Sequence, residues 1–346
     1  MISFVSALIG FLWNSHVTVL ISRDDAKAIR LNRSQLSSPA PLQHTTRSAS
    51  GVVRISPNPR HCAAQPNATP IDPYKNCPLP GLNNMLFSQI SRWYCAFRDK
   101  RALRLRDRTC NKGTHEPFRY STILSIDYER LPKDRGDAAI CWSDIARQDE
   151  AERCSWSDAF HFYGSPMWWE ARALIDFHPE FYALAEEVRR AAFGERPFIA
   201  LHLRRGDFQH HCTVLRRRGS PPWFPFRQCQ RAVEDGAEDC FVSMETVRRA
   251  VTSLRKQHNV HDVFVATNTP TDVAQAFDAD VNVKTVLSLL WPTLSRKLDA
   301  YIVEMCLMSM ASVFVFNKYS SMSGAVFEMA SIHGNIPRNS TEWYCW

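Results

Sequence analysis

The stretch Phe198-Ile199-Ala200-Leu201-His202-Leu203-Arg204-Arg205-Gly206-Asp207-Phe208 decides how the chain is read. Its first four residues form an unbroken apolar run, the pattern of a strand buried on both faces. The run then delivers His202, Arg204 and Arg205 just ahead of a glycine. In open parallel sheets, ligands sit beyond the carboxyl ends of the strands, so these side chains emerge where a ligand would lie. A guanidinium is planar, permanently charged and able to hold a phosphate through two hydrogen bonds. Gly206 lets the backbone turn sharply or approach a ligand closely. Taken alone, the stretch also fits two plainer readings. The arginines could be solvated charges at a strand end, paired with Asp207, or Arg205-Gly206-Asp207 could be an adhesion tripeptide.

The chain on either side argues for a layered α/β domain. Upstream, Pro179–Phe193 has apolar residues at helical spacing with Pro179 at its start, and Gly194 can end it. Downstream, Met244–His258 is predicted helical, with Val247, Val251 and Leu254 facing inward. Val263–Ala266 is a buried strand ending at Thr267-Asn268, after which Thr269 caps a short helix with Pro270 at its first position. Val283–Leu287 is a strand, and Ser295–Met310 a helix capped by Ser295. Val313–Phe316 is a further buried strand. The polar loop Asn317–Ser323 then leads into a helix over Ser323–His333, closed by Gly334. Alternating strand and helix predict a parallel, Rossmann-like domain. Three of its strands end in polar signatures that open on one sheet edge: His202-x-Arg204-Arg205, Thr267-Asn268 and Asn317–Ser323.

The first half is less regular. Residues 4–21 are apolar but broken by Asn14, Ser15 and His16, which fits a signal anchor or a cleaved signal peptide. Residues 23–76 are rich in Ser, Pro, Arg and Ala without a period, the composition of a disordered stem or linker. Pro80-Gly81-Leu82-Asn83-Asn84 is a turn-rich loop ahead of a helix over Met85–Phe97. Such a loop can offer backbone N–H groups and amides to an anion or a sugar, or serve only as a helix start with Asn84 as N-cap. Arg101–Arg106 alternates like a strand, and Ile123–Ile126 reads as a short one. The expected organisation is a signal or anchor over 1–22, the stem over 23–76, an N-terminal Rossmann-like domain over 77–195 and a C-terminal one over 196–346.

Composition supports this frame. The chain of 346 residues has room for two cores. Its net charge of +7, from 42 Lys and Arg against 35 Asp and Glu, suits a phosphate-bearing ligand. No nucleic-acid-binding signature is present, and Arg216-Arg217-Arg218 reads as a solvated loop. Eleven cysteines without a C-x-x-C pair, together with sequons at Asn32, Asn67 and Asn339, point to disulfides in an oxidising compartment. His210, His211 and Cys212 are a weak metal candidate. Adjacent histidines diverge in an extended chain, and Cys212 has Cys229 and Cys240 nearby as disulfide partners.

With these motifs in place, the chain resembles the GDP-fucose protein O-fucosyltransferase family. The resemblance rests on His202–Asp207, Thr267-Asn268, Ser320-Ser321-Met322-Ser323, Gly81-Leu82-Asn83-Asn84 and Asp127-Tyr128-Glu129-Arg130-Leu131, and spans residues 78 to 335. It implies a GT-B-like fold of two Rossmann-like domains with the active site in the cleft between them. The implied activity is inverting transfer of fucose from GDP-fucose to a Ser or Thr hydroxyl of a protein acceptor such as a cysteine-rich repeat. It implies no metal or other cofactor, no nucleic-acid partner, and a place in the endoplasmic reticulum or Golgi lumen. Arg204 would hold the diphosphate and His202 the sugar nucleotide beside it. Ser320 and Ser321 would hold phosphate oxygens, and Gly81, Asn83 and Asn84 would lie on the fucose side. Three positions depart from the family. Asn268 stands where an Asp usually reads guanine, Met322 where a Phe lies near the base, and Pro80 where one branch has a Glu base. The Asn268 and Met322 departures keep open a non-catalytic relative that binds a glycan or protein, and the H-x-R-R run, shared with α1,6-type glycan fucosyltransferases, keeps that activity open as well.

Overall fold

The computed structural model describes residues 82–98, 103–110, 117–127, 140–143, 164–217, 241–277, 281–285, 289, 297–333 and 343–346. All belong to one unit, His44–Trp346. The expected leader and stem, Gly81, Ser295, Arg218, Cys229, Cys240 and the three sequons lie outside the described residues.

The N-terminal part begins with α1 (Leu82–Arg98), which buries Leu86, Phe87, Ile90, Trp93, Tyr94 and Phe97 along one side. That spacing of three and four residues is what the sequence shows for a helix with a single apolar face. The helix starts three residues earlier than the sequence suggests. Asn83 and Asn84 therefore sit in its first turn rather than in a loop, and Asn84 is not its cap. Next come β1 (Leu103–Arg106), β2 (Arg108–Cys110), β3 (Pro117–Arg119), β4 (Leu124–Ile126) and β5 (Ile140–Ser143). β1 pairs in parallel with β5, and β2 pairs antiparallel with β3.

The short helix α2 (Pro166–Ala173) was not legible from periodicity. It starts where the Ser165 hydroxyl accepts a hydrogen bond from the Trp168 N–H. β6 (Ile175–Phe177) follows and pairs antiparallel with β4. α3 (Pro179–Phe193) matches expectation at both ends, with Gly194 at φ +64° as its C-cap.

The C-terminal part is a five-stranded sheet. Its elements are β7 (Phe198–Leu203), α4 (Phe208–Arg217), α5 (Met244–His258), β8 (Asp262–Thr267), α6 (Pro270–Ala276), β9 (Asn282–Thr285), α7 (Lys297–Ser309), β10 (Val313–Phe316), α8 (Ser321–Ile332) and β11 (Trp343–Cys345). The strand order is β9-β8-β7-β10-β11, and every pairing is parallel. The chain runs outward from β7 to β9, then returns to lay β10 on the other side of β7. The order of strands therefore reverses between β7 and β10.

Strand alternation divides the core in two. Phe198 and Ala200 of β7, Phe264 and Ala266 of β8, and Phe314 and Phe316 of β10 pack on one face with α7 and α8. Ile199, Leu201 and Leu203, Val263 and Val265, and Val313 and Val315 pack on the other with Val247, Ala250, Val251 and Leu254 of α5. This period of two carries into the motif. It directs His202 toward the α8 side, and beyond the strand Arg205 reaches Phe241 and Val242 just ahead of α5.

Several expectations change. α4 replaces the extended chain expected at His210-His211-Cys212, and Arg216 and Arg217 end that helix instead of lying in a loop. Phe208, Cys212 and Leu215 recur at i, i+4 and i+7, and they cluster with Phe241 and Tyr319. Among the described residues no group of His, Cys, Asp or Glu is arranged to hold a metal. α8 begins at Ser321 rather than Ser323, and the Thr269 side chain makes no capping bond at α6. β11, three residues long and preceded by polar residues, gave no sequence signal. Cys95, Cys212 and Cys345 are disulfide-bonded, whereas Cys306 is free and buried. Among the described residues no helix is long and apolar enough to cross a membrane.

Candidate functional site

The carboxyl ends of β7 and β10 meet where strand order reverses, the place at which open α/β sheets leave a crevice. β7 continues through His202, so the imidazole is buried beneath α8 rather than released from the strand. Its Nδ1 lies 2.6 Å from the Ser323 hydroxyl, and that same oxygen accepts the Asn317 backbone N–H at 3.1 Å. One serine thus ties the end of β7 to the end of β10. On the backbone side, the Trp346 indole N–H donates to the His202 carbonyl at 3.2 Å. Burial, with the Arg204 charge as a second cause, pulls the His202 pKa down to about 3. The ring is neutral at physiological pH. It can orient a neighbour or share a hydrogen bond, but it is not a reservoir of positive charge.

The two arginines take different environments. Arg204 is exposed. Among the described residues its carboxylate contact is Asp207 at 3.4 Å, and its guanidinium lies over the Phe208 ring at 5.4 Å from the centroid. Arg205 is half-buried. It stacks on Phe241 at 4.4 Å and donates to the Val242 carbonyl. Arg205 is therefore committed to packing, while Arg204 keeps most of its donors available. His211, on the next turn of α4, faces Phe208 at 5.5 Å. Burial first, and then the Arg204 charge, holds its pKa below the ordinary range.

The turn between the motif and α4 is held from β8. Asn268, just past the end of β8, accepts the Arg205 N–H at 2.8 Å and donates to the Arg205 carbonyl at 3.0 Å. Its amide is thus spent on the backbone of the motif. Gly206 has φ +60°, a left-handed conformation that favours glycine.

The third strand end supplies the start of α8. Ser320 is buried at its N-cap position but makes no side-chain capping bond. Ser321 is half-buried in the first turn. The first N–H groups of a helix have no partner within it and carry partial positive charge, which favours phosphate. Met322 is 6% exposed and belongs to the main core, so its side chain faces the interior.

The structure thus brings His202, Arg204, Asn268, Ser320 and Ser321 to one sheet edge. Asn83 and Asn84 fall in the first turn of α1, and Gly81 lies outside the described residues. Sequence reasoning missed Ser323 as the partner of His202. Strand parity was the available signal for the side of the sheet, but nothing local could pair residues so far apart in the chain.

Comparison with known proteins agrees with this arrangement. No curated protein sequence matches the chain. Among solved structures, POFUT1 in complex with GDP is 13% identical, covers 77% of this chain and 95% of its own, and superposes with a TM-score of 0.50. POFUT1 in complex with GDP-fucose is also 13% identical, covers 81% and 99%, and gives 0.50. The fucosyltransferase NodZ from Bradyrhizobium is 11% identical over 71% and 89%, with a TM-score of 0.36. The POFUT1 likeness shows a shared α/β, GT-B-like fold. The family model for GDP-fucose protein O-fucosyltransferases matches residues 79–333, which include His202, Arg204, Asn268, Ser320 and Ser321, and the chain belongs to that family.

Proposed function

We propose that the chain transfers fucose from GDP-fucose to a Ser or Thr hydroxyl of a protein acceptor, with inversion at the anomeric carbon. The observation that carries this reading is the placement of Arg204. It is the exposed guanidinium at the β7 edge, two residues beyond the histidine that β7 docks against the start of α8. In this reaction the anomeric C–O bond breaks toward diphosphate, and negative charge grows on the leaving oxygens. An Arg204 fork and the first N–H groups of α8, with the Ser320 and Ser321 hydroxyls, stabilise that charge where it develops. Neutral His202 borders the sugar nucleotide without adding charge. Asn83 and Asn84 in the first turn of α1 lie on the fucose side, with Gly81 ahead of them. The acceptor hydroxyl loses its proton as the new bond forms, and no base is assigned to that step.

The same reading divides the described unit near residue 195 into two Rossmann-like domains with the site in their cleft, and it includes no metal or other cofactor. It places the protein in the lumen of the endoplasmic reticulum or Golgi, supported by the disulfide-bonded cysteines and the sequons, with an anchor or cleaved signal over residues 1–22. The test is turnover of GDP-fucose with folded cysteine-rich repeats, and in parallel with an N-glycan core, followed by mass analysis of the acceptor. Fucose on a repeat Ser or Thr supports the proposal. Fucose on the glycan alone assigns the α1,6-type activity instead. GDP binding with no transfer to either acceptor leaves a binding module.

A further inference from the structure

We propose that Asn268 is a positioning residue that clasps the arginine turn, and that it does not read the nucleobase. This rests on the reading of the β7 edge as a nucleotide-sugar site. Four observations converge on the side chain. Its Oδ1 accepts the Arg205 N–H at 2.8 Å, and its Nδ2 donates to the Arg205 carbonyl at 3.0 Å. The same Nδ2 lies 3.4 Å from the Asp207 carboxylate. A Cβ on Gly206 would come within 3.2 Å of that nitrogen. The partners fix the orientation of the amide, because a donor meets an acceptor at both ends. The clasp spans 63 residues of sequence and joins the end of β8 to the end of β7. With both backbone groups of Arg205 held, the direction in which the adjoining Arg204 leaves the strand is fixed. Both ends of the amide are engaged with the Arg205 backbone, which sets the orientation in which this exposed side chain is held.

An Asp at this position could keep only half of the clasp. Its carboxylate would still accept the Arg205 N–H, but its second oxygen would face the Arg205 carbonyl. Protonating the acid would restore the missing donor. This gives the proposal a signature that simple loss of packing does not share.

The experiment measures amide hydrogen exchange over residues 203–208 in the ligand-free protein, and the affinities of GDP and inosine diphosphate by calorimetry. Wild type is compared with Asn268→Ala and Asn268→Asp. The expected result is loss of protection at Arg205 in Asn268→Ala, with both nucleotides weakened alike by about tenfold. Asn268→Asp, which keeps the bond to the Arg205 N–H but loses the one to its carbonyl, should fall between wild type and the alanine variant at pH 7.5. Relative to wild type at each pH, it should regain protection and affinity as the pH falls toward the carboxyl range near 4. Inosine diphosphate lacks the 2-amino group of guanine, so a weakening confined to GDP would identify Asn268 as a base reader and overturn the proposal. Unchanged protection in Asn268→Ala would overturn it as well. If wild type binds neither nucleotide, the proposed function fails, while the exchange measurement still decides whether Asn268 holds the turn.

Discussion

The two ends of α8 carry polar groups on one helix, and the protein treats them in opposite ways. Toward its C-terminal end, Glu328 accepts from Arg172 Nε at 2.8 Å and from the Trp168 indole at 3.2 Å, and Arg172 also donates to the Ile175 carbonyl. Beside them Asp176 accepts from the Tyr182 hydroxyl at 2.9 Å, the Phe177 N–H at 2.8 Å and His333 at 2.7 Å. Burial alone would raise the Asp176 pKa, but the His333 hydrogen bond and the Arg172 charge hold it below the ordinary range. A hollow of about 770 Å³ opens beside Asp176, Tyr182 and His333, yet these groups are already bonded to one another. At the N-terminal end, Arg204 has one long contact with a carboxylate, and Ser320 leaves its capping role unused. The difference separates frame from site. A saturated buried network specifies how α2 and α8 meet, and loosely held donors remain for a ligand.

The most severe way to break this contrast is Glu328→Gln. Removing one partner of a buried ion pair typically costs about 3–5 kcal/mol, so a large fall in melting temperature is expected. GDP affinity of the variant that remains folded should match wild type. A stable variant would show that the network is not part of the frame.

Glu304 sharpens the contrast, since it is buried like Glu328 but its Oε1 has no hydrogen-bond partner among the described residues. Burial raises its pKa to about 8 from an ordinary value near 4.5. The folded state thus keeps the proton while the unfolded chain releases it. Stability from the neutral acid is complete below about pH 4.5 and is lost as pH rises toward 8, by up to about 1.4 kcal/mol per pH unit. Glu304→Gln should flatten this slope in melting temperature between pH 5 and 8, and equal slopes would contradict the assignment. His202 acts in another window. Its depressed pKa gives stability that is present above pH 6.5 and lost as pH falls toward 3.

The smallest effect is expected at Arg205. Arg205→Ala removes a stacked cation and a bond to Val242, together worth about 1–2 kcal/mol at a half-buried position. Denaturant unfolding should show that loss with GDP affinity little changed. A collapse of affinity without loss of stability would move the ligand role to Arg205.

The sequence made β7, β8 and β10 of the C-terminal sheet legible because each holds a short apolar run bounded by polar residues. α3, α5 and β10 have the ends expected from Pro179 and Gly194, from the apolar spacing at Val247, Val251 and Leu254, and from the Val313–Phe316 run. The order β9-β8-β7-β10-β11 was not legible, since nothing local states that β10 lies beside β7. α4 was not legible, because Phe208, Cys212 and Leu215 are its only strongly apolar positions besides Val214 and the rest of the helix is polar or charged. The site was legible as residue types at strand ends. Its inner contacts, Ser323 on His202 and Asn268 on Arg205, join residues far apart in sequence and appear only once the strands are in register.

The central claim is that Arg204 is the ligand-facing cation of this edge. Calorimetric titration of GDP into wild type, Arg204→Lys and Arg204→Ala, with single-turnover transfer from GDP-fucose, tests it most directly. Loss of a charge-stabilising donor typically costs about 10²–10³ in turnover, so Arg204→Ala should fall at or beyond that range with weakened GDP binding and an unchanged melting temperature. Arg204→Lys keeps the charge but not the two-donor fork and should recover only part of both. Wild-type GDP affinity and turnover in a folded Arg204→Ala protein would contradict the claim and leave Arg204 a solvated charge beside Asp207.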